Sequence, residues 1–91
     1  MDASVIITTY NRENILKRSL ELLFTQDFPK DRYEIIVVDD GSTDNTEKMI
    51  EKQNPPCSFL YLKNKERKGQ AKSRNLALSR AKGRVAIFVD S

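Results

Sequence analysis

The chain has 91 residues, a net charge of +3, no histidine, no tryptophan and one cysteine, Cys57. This length fits one small domain but not two. The single cysteine excludes an intramolecular disulfide framework. The lack of histidine excludes histidine general bases, histidine-based triads and Cys/His zinc sites within these residues. Apolar residues make up 38% and charged residues 32% of the chain, which is a globular composition.

The sequence lacks the features of membrane-spanning and secreted chains. No segment approaches the ~18 apolar residues that a membrane-spanning helix needs. The N-terminus has neither the basic region nor the apolar region of a signal peptide. We therefore expect a cytoplasmic location, or a place at the cytoplasmic face of a membrane in the full-length protein.

The charge is distributed unevenly along the chain. The segment from Lys63 to Arg84 holds nine basic residues and one acid, whereas residues 1–62 hold seven basic and eleven acidic residues. A basic block of this kind favours an anionic partner, such as a nucleotide phosphate, a nucleic acid or an acidic membrane surface. A solvated helix face with a flexible loop is the alternative interpretation.

Four short apolar runs predict four β-strands. The second and fourth runs are continuous and rich in β-branched residues, a pattern typical of strands that are covered on both faces of a parallel sheet. The four runs are Val5–Ile7, Ile35–Val38, Phe59–Leu62 and Val85–Val89.

The first of three predicted helices lies between the first two runs. Its apolar residues recur with a helical period, which predicts an amphipathic helix. Asn11 is its predicted N-cap. The helix should end near Asp27, because Pro29 disfavours helical backbone at the preceding residue.

The remaining helices have their own predicted start and stop signals. Asp44 and Glu47 have the spacing of a capping box, so the second helix should begin there and end before Asn54. The third helix should run from about residue 70 to 82, with Gly83 as the C′ residue. The resulting β-α-β-α-β-α-β order predicts a three-layer α/β/α fold with a mostly parallel sheet of about four strands. Right-handed crossovers would place helices on both faces if the strand order reverses.

Polar side chains follow three of the predicted strands. Ligands of open parallel sheets bind outside the carboxyl ends of the strands. Adjacent carboxylates at Asp39 and Asp40 repel each other unless a cation or a donor pairs with them. Together with Asp90 they favour a functional site, although either one alone is better explained as a turn cap. Thr8 and Tyr10, taken alone, are better explained as a turn hydroxyl and a packed ring.

Arg74 on the third helix is a second candidate. A helical projection places it in the middle of a face that includes Ala71 and Ala77. A buried arginine needs an anion or a carboxylate, and the nearby helix N-terminus, beyond Gly69, favours a phosphate. A structural salt bridge to one of the aspartates that follow the strands is an open alternative. The preceding loop cations are either close to a diphosphate or solvated; they are Lys65, Arg67 and Lys68.

Four sequence blocks together resemble the inverting family 2 glycosyltransferases of the GT-A fold. They are SVIITTYN at Ser4–Asn11, YEIIVVDDGSTD at Tyr33–Asp44, GQAKSRNLA at Gly69–Ala77 and GRVAIFVD at Gly83–Asp90. The resemblance covers essentially the whole chain. It implies the Rossmann-like half of a GT-A fold, with residues 1–91 as a single truncated N-terminal nucleotide-binding region.

The resemblance also implies roles for individual residues. Thr8 and Tyr10 would line the nucleoside pocket, Asp40 would read the uracil edge, and Arg74 would support both the base and that carboxylate. Asp90 would be the first aspartate of a metal-binding D-x-D motif that takes Mg²⁺ or Mn²⁺. The full set of implied nucleotide-sugar-binding residues is Thr8, Tyr10, Asn11, Glu13, Asp40, Arg74, Asp90 and Ser91.

The family's reaction implies the rest of the functional expectation. A catalytic base deprotonates an acceptor hydroxyl, which attacks the anomeric carbon while a divalent metal stabilises the leaving diphosphate. The expected donor is a UDP-sugar, and the acceptor is an unidentified glycan, lipid or protein in cell-wall, polysaccharide or glycan synthesis. The base and the second D-x-D aspartate are expected downstream of Ser91, so we expect this piece to bind nucleotide at most and to be inactive in transfer.

Other functions fit the sequence less well. A sugar nucleotidyltransferase usually has a glycine-rich loop after the first strand, where this chain has Thr8–Arg12. A basic nucleic-acid-binding module would need aromatic residues among its cations, and the Lys63–Arg84 segment has none, so no nucleic-acid partner is expected. A phosphoacceptor receiver domain needs acidic residues at the end of the first strand, where this chain has Thr8–Tyr10.

A truncated sheet would leave the fourth strand or an apolar face exposed. Such an exposed edge favours self-association of the chain, which we state as a further hypothesis.

Overall fold

Seven elements alternate along the chain in the computed structural model, which describes residues 1–90 except for the side chain of Asp90. They are β1 (Ala3–Thr9), α1 (Glu13–Phe24), β2 (Tyr33–Asp39), α2 (Thr46–Glu51), β3 (Ser58–Lys63), α3 (Gln70–Arg80) and β4 (Val85–Asp90). The predicted order of strands and helices is therefore confirmed. Ser91, one of the implied site residues, lies outside the described residues. Within residues 1–90, every helix is too short or too polar to cross a bilayer.

The four strands form one parallel sheet in the order β3-β2-β1-β4. The strand order reverses at β1, because β2 and β3 follow on one side of it and β4 lies on the other. Right-handed crossovers therefore place helices on both faces, which gives the predicted three layers. The register pairs Thr9 with Asp39 and Thr8 with Asp90, so three strands end side by side.

Apolar side chains cover the two faces of the sheet in separate clusters. One face carries Val5, Ile7, Ile35 and Val37 of the strands, against Leu16 and Leu20 of α1 and Met49 and Ile50 of α2. The other face carries Ile6, Ile36 and Val38, against Ala77 of α3. Every residue of β2 is buried, which explains why its apolar run is continuous rather than alternating.

The fourth strand is an edge strand with exposed apolar side chains. Val85 is 57% exposed, Ile87 44% and Phe88 45%. The expectation that this strand is covered on both faces, as its continuous run suggested, is therefore not met within the described residues. The sequence could not reveal this exposure of β4, because a continuous apolar run shows that a strand prefers burial but not which elements cover it.

Two predicted helix starts are wrong. Arg12, not Asn11, is the N-cap of α1, and Asn11 has a positive φ of 49°. The N-cap of α2 is Asn45, and no capping box forms there. Asp44 instead accepts hydrogen bonds from the backbone N–H and hydroxyl of Thr46, two residues on. The first helix also ends at Phe24, three residues before Asp27.

Gly83 has a role other than the predicted helix C′ position. The third helix ends at Arg80, and Ala81 is already extended with a ψ of 137°. Gly83 lies against the start of β1, where a Cβ atom would stand 2.4 Å from the carbonyl carbon of Ala3 and 2.5 Å from the nitrogen of Ser4. Glycine is required there by the close approach of two backbones.

Candidate functional site

A cleft of about 420 Å³ lies at the carboxyl ends of β1 and β2. It is bounded on its other side by the loop that leads into α3 and by the first turn of that helix. The lining residues are Thr8, Thr9, Tyr10, Arg12, Asp40, Arg67, Gln70 and Ser73. The cleft therefore lies at the sheet edge where the strand ends predicted a site.

Asp40, the first residue after β2, is the central carboxylate of the cleft and is 5% exposed. Its Oδ1 accepts hydrogen bonds from the backbone N–H of Lys68 at 2.8 Å and from the side-chain amide of Asn64 at 3.0 Å. Its Oδ2 accepts one from the N–H of Gly69 at 3.1 Å. Burial opposes the charged form, but these three donors outweigh it and hold the pKa of Asp40 below 3.8. The carboxylate is thus fixed in its ionised form.

The loop between β3 and α3 is shaped around this carboxylate. Asn64, which follows β3, donates its backbone N–H to the carbonyl of Asp39 at 2.8 Å. Its side-chain amide bridges Asp40 and the hydroxyl of Ser73. Gly69 has a φ of 94°, a backbone conformation that turns the chain into α3 and that side chains rarely adopt. Sequence reasoning missed Asn64, whose only signal is its position directly after a strand.

Asp39, by contrast, is a structural residue. Its side chain is fully buried, with Oδ1 accepting the N–H of Ser42 at 2.8 Å and Oδ2 accepting the hydroxyl of Tyr61 at 2.6 Å. The turn-cap interpretation therefore holds for Asp39. Burial, and then this hydrogen bond to a carboxylate, raise the pKa of Tyr61 well above its usual value of 10.

Tyr10 and Arg67 stack on one another inside the cleft. The guanidinium carbon of Arg67 lies 3.9 Å from the centroid of the Tyr10 ring. The Nε atom of Arg67 is 3.8 Å from Oδ2 of Asp40, so the arginine is also the carboxylate's ion-pair partner. Arg67 was only one of three loop cations in the sequence, and neither contact has a sequence signal.

Two threonines of β1 complete the cleft. Thr8 lines it, as the family resemblance implied, although that role in binding stays a prediction. Thr9 lines it as well and was not predicted. The Thr9 side chain is only 4% exposed, and its Oγ1 has no hydrogen-bond partner among the described residues.

Asn11 and Glu13 lie outside the cleft lining and tie two loops together. The Asn11 side chain accepts the N–H of Thr43 at 2.8 Å, and its own N–H is donated to the hydroxyl of Ser42 at 2.8 Å. Glu13 accepts the N–H of Asn45 at 3.3 Å. These contacts hold the β1–α1 loop against the β2–α2 loop, and a nucleotide-binding role for either residue stays a prediction.

Arg74 does not lie where the helical projection placed it. The buried positions of α3 are Ser73 and Ala77, whereas Ala71 and Leu78 are exposed. Arg74 is half-buried, and its guanidinium lies over the Phe88 ring at 5.2 Å from the centroid. Among the described side chains it forms no ion pair. The helix is too poor in large apolar residues for its pattern to define the buried face.

The metal-binding expectation falls on residues that the structure describes only in part. The backbone of Asp90 pairs with Thr8, so β4 ends beside the cleft, but the Asp90 side chain lies outside the described residues. Among the side chains that are described, there is no cluster of three acidic, cysteine or histidine residues that could hold a metal ion.

Known proteins resemble both the sequence and the fold of this chain. The poly(ribitol-phosphate) β-N-acetylglucosaminyltransferase TarS of Staphylococcus aureus is 41% identical over 92 residues, which cover 100% of this chain and 16% of TarS. The TarS crystal structure has a TM-score of 0.91 over 99% of this chain and 16% of its own. It confirms the predicted α/β class and GT-A fold.

Two further structures contain ligands. The mannosyltransferase PcManGT from Pyrobaculum calidifontis, in complex with GDP-Man and Mn²⁺, is 32% identical with a TM-score of 0.91 over 97% of this chain and 26% of its own. TarS in complex with UDP is 38% identical with a TM-score of 0.85, over 100% of this chain and 27% of its own.

These matches decide the family. They do not favour a sugar nucleotidyltransferase or a nucleic-acid-binding module. The chain spans 16% of TarS, so it corresponds to a small part of that relative's length. The model of the family described as "Glycosyl transferase family 2" matches residues 4–91, and the chain therefore belongs to glycosyl transferase family 2.

Proposed function

We propose that the cleft binds the nucleotide of a UDP-sugar, and that the chain provides the donor-binding part of an inverting glycosyltransferase. The acceptor hydroxyl would belong to a glycan, lipid or protein in cell-wall or polysaccharide synthesis. The observation that carries the proposal is the buried, ionised Asp40 beside the Tyr10 ring at the carboxyl edge of the sheet.

The hydrogen-bonding capacity of Asp40 favours uracil as the base. An ionised carboxylate has about four acceptor positions. Three are used by Lys68, Asn64 and Gly69, which leaves one on Oδ2. Uracil presents a single N–H between two carbonyls on its pairing edge, which matches one remaining acceptor. Guanine presents two neighbouring N–H donors and fits less well. TarS, a similar protein, has been crystallised with UDP, which supports this choice.

The sides of the cleft suit the rest of a nucleotide. The Tyr10 ring provides a face on which a base can stack. Thr8 and Thr9 of β1 line the cleft beside this ring. The basic loop before α3 provides cations for a diphosphate, and the N-terminus of that helix favours negative charge.

A divalent metal is part of the proposal, with Asp90 as its ligand from this chain. The Thr8–Asp90 register brings a carboxylate-bearing position to the cleft edge, and carboxylate oxygens suit both Mg²⁺ and Mn²⁺. Asp39 is not a candidate ligand, because both of its oxygens are engaged in short hydrogen bonds. When bound, such an ion would stabilise the negative charge of a leaving diphosphate.

The catalytic base is proposed to lie outside these 91 residues. Asp39 and Asp40 are both committed to hydrogen bonds within the fold, and Asp40 is held ionised with a low pKa, which makes it a weak base. We therefore propose that this chain alone binds donor nucleotide without transferring sugar. The proposed place of action is the cytoplasm or the cytoplasmic face of the membrane.

The exposed β4 edge is the proposed surface for self-association of the 91-residue chain. Among the described residues its backbone is paired with β1 on one side only, and Val85, Ile87 and Phe88 are exposed on it. Unpaired apolar edges readily pair with another chain. Sedimentation velocity should show a dimer that is lost in Ile87→Lys. A monomer at millimolar concentration would contradict this proposal.

Calorimetric titration with UDP tests the proposed function. Asp40→Asn replaces the charged acceptor by an amide. A hydrogen bond to a charged group contributes about 1.5–3 kcal/mol, so the variant should bind UDP about 10- to 100-fold more weakly. Asp27→Asn makes the same change at an exposed position and should bind like the unaltered chain. Equal UDP affinity in Asp40→Asn and the unaltered chain would refute the assignment.

A further inference from the structure

Arg67 occupies the part of the cleft in which the proposed function places a base. Arg67 and Tyr10 both line the cleft, and the two side chains stack on one another. At 3.9 Å from the ring centroid, the guanidinium is in van der Waals contact with the ring. A base cannot lie on the same ring face at the same time.

The same side chain also lies beside Oδ2, the Asp40 oxygen that has the remaining acceptor position. The Nε atom of Arg67 is 3.8 Å from Oδ2, the oxygen that accepts one hydrogen bond. This distance is too long for a hydrogen bond but close enough for ionic attraction. The arginine therefore places a flat group against the Tyr10 ring and a positive charge beside the carboxylate, at the two groups that the proposed function assigns to the base.

The contacts that hold Arg67 are weak enough to exchange. Its side chain is 61% exposed, and exposed ion pairs and cation–π contacts are each modest. The backbone around it is firmly placed, because the N–H groups of Lys68 and Gly69 are bonded to Asp40. Only the side chain has to rotate, and exposed side chains change rotamer within nanoseconds.

We propose that Arg67 is an internal competitor for the nucleobase position, and that the base displaces it when a nucleotide binds. The displaced guanidinium is then available to the diphosphate, with which arginine pairs well. The inference rests on the proposed function. It makes Arg67 a residue that lowers affinity for bare nucleosides and increases preference for nucleoside diphosphates.

Removing the competitor should strengthen nucleoside binding. Apparent affinity is reduced by the fraction of molecules whose site is covered. A stack and an ion pair of this exposure correspond to about a three- to tenfold effect. Arg67→Ala should therefore bind uridine about three- to tenfold more tightly than the unaltered chain. Its preference for UDP over uridine should fall, because the released cation is gone.

The test is a set of NMR titrations of the 91-residue chain with uridine and with UDP. Lys82→Ala is the control, because it removes one exposed cation that does not line the cleft. It should leave the uridine affinity unchanged. Arg67→Lys keeps the charge but loses the flat group, and should also bind uridine more tightly.

The outcomes separate the two proposals. If Arg67→Ala and the unaltered chain bind uridine equally well, or the variant binds more weakly, the role of Arg67 is refuted and the nucleotide site stands. If neither protein binds uridine or UDP, the proposed function itself fails, and the inference about Arg67 fails with it.

Discussion

Replacing Gly83 by alanine should severely destabilise the fold, although the change adds a single methyl group. Gly83 lies between α3 and β4 and touches the start of β1, which is an interior strand. The new Cβ would stand 2.4 Å from the Ala3 carbonyl carbon and 2.7 Å from the Ser4 hydroxyl. The nearest atoms belong to a backbone that β2 and β4 hold from both sides, so they cannot move aside easily.

The expected cost has two parts. Overpacking against a rigid backbone costs about 1–3 kcal/mol. The shift also weakens the 2.8 Å hydrogen bond from the Gly83 N–H to the Ser4 hydroxyl, which in turn donates to buried Glu34 at 2.6 Å. A hydrogen bond of this kind contributes about 0.5–1.5 kcal/mol. The sum of about 1.5–4.5 kcal/mol is a large part of the ~5–15 kcal/mol that stabilises a typical domain.

Thermal and urea unfolding followed by circular dichroism measure this loss. For a domain of this size, 1 kcal/mol lowers the melting temperature by about 4–8 °C, so Gly83→Ala should melt at least about 6 °C below the unaltered chain. Lys82→Ala is the control, because its exposed side chain is removed while its N–H still bonds Glu34. A Gly83→Ala protein within about 0.5 kcal/mol of the unaltered chain would refute the close-approach argument.

Three further predictions concern the core and the carboxylates, and urea unfolding measures each. Ile36→Ala, at a fully buried position, should cost about 2–5 kcal/mol, whereas Ile15→Ala, at a position 52% exposed, should change stability by less than about 0.5 kcal/mol; similar losses would contradict the assigned burial. Tyr61→Phe removes the 2.6 Å hydrogen bond to buried Asp39 and should cost about 1.5–3 kcal/mol; an unchanged free energy of unfolding would show that the bond is not stabilising. Burial acts to raise the pKa of Asp40, but the hydrogen bonds donated to its carboxylate have the larger effect and hold the pKa below 3.8. The stability that the ionised carboxylate contributes is therefore complete above about pH 4 and is lost as the pH falls through the native pKa. Asp40→Asn should accordingly lose less stability below pH 4 than the unaltered chain does. An equal acid dependence in both proteins would contradict the pKa argument.

The strands and the position of the cleft could be predicted because both follow from local patterns and one topological rule. The continuous run Ile35–Val38 has the composition of a doubly covered strand, and it is one. Once the sheet is parallel, residues after its strands must share an edge, which is why Thr8, Tyr10 and Asp40 were found together. The sequence did not determine whether the strand order reverses, because a strand–helix–strand connection has the same sequence pattern whichever side of β1 the next strand joins.

What could not be predicted depends on contacts between distant segments. The Arg67–Tyr10 stack and the Asn64–Asp40 hydrogen bond join residues separated by 57 and 24 positions, and neither leaves a periodic trace in the sequence. Arg74 was misplaced because α3 has few large apolar residues, so neighbouring faces of the helix look equally suitable for burial. The sequence around Gly83 predicts a helix terminator, because the close approach of β1 is visible only in three dimensions.

The most direct test of the central claim is an NMR titration of the isotopically labelled 91-residue chain with UDP. The amides of Thr9, Tyr10, Lys68 and Gly69 should shift together at one saturating concentration, because all four border Asp40 or its cleft. Shifts confined to the groove between α1 and α2, lined by residues such as Lys17 and Lys48, would place the nucleotide elsewhere and contradict the account.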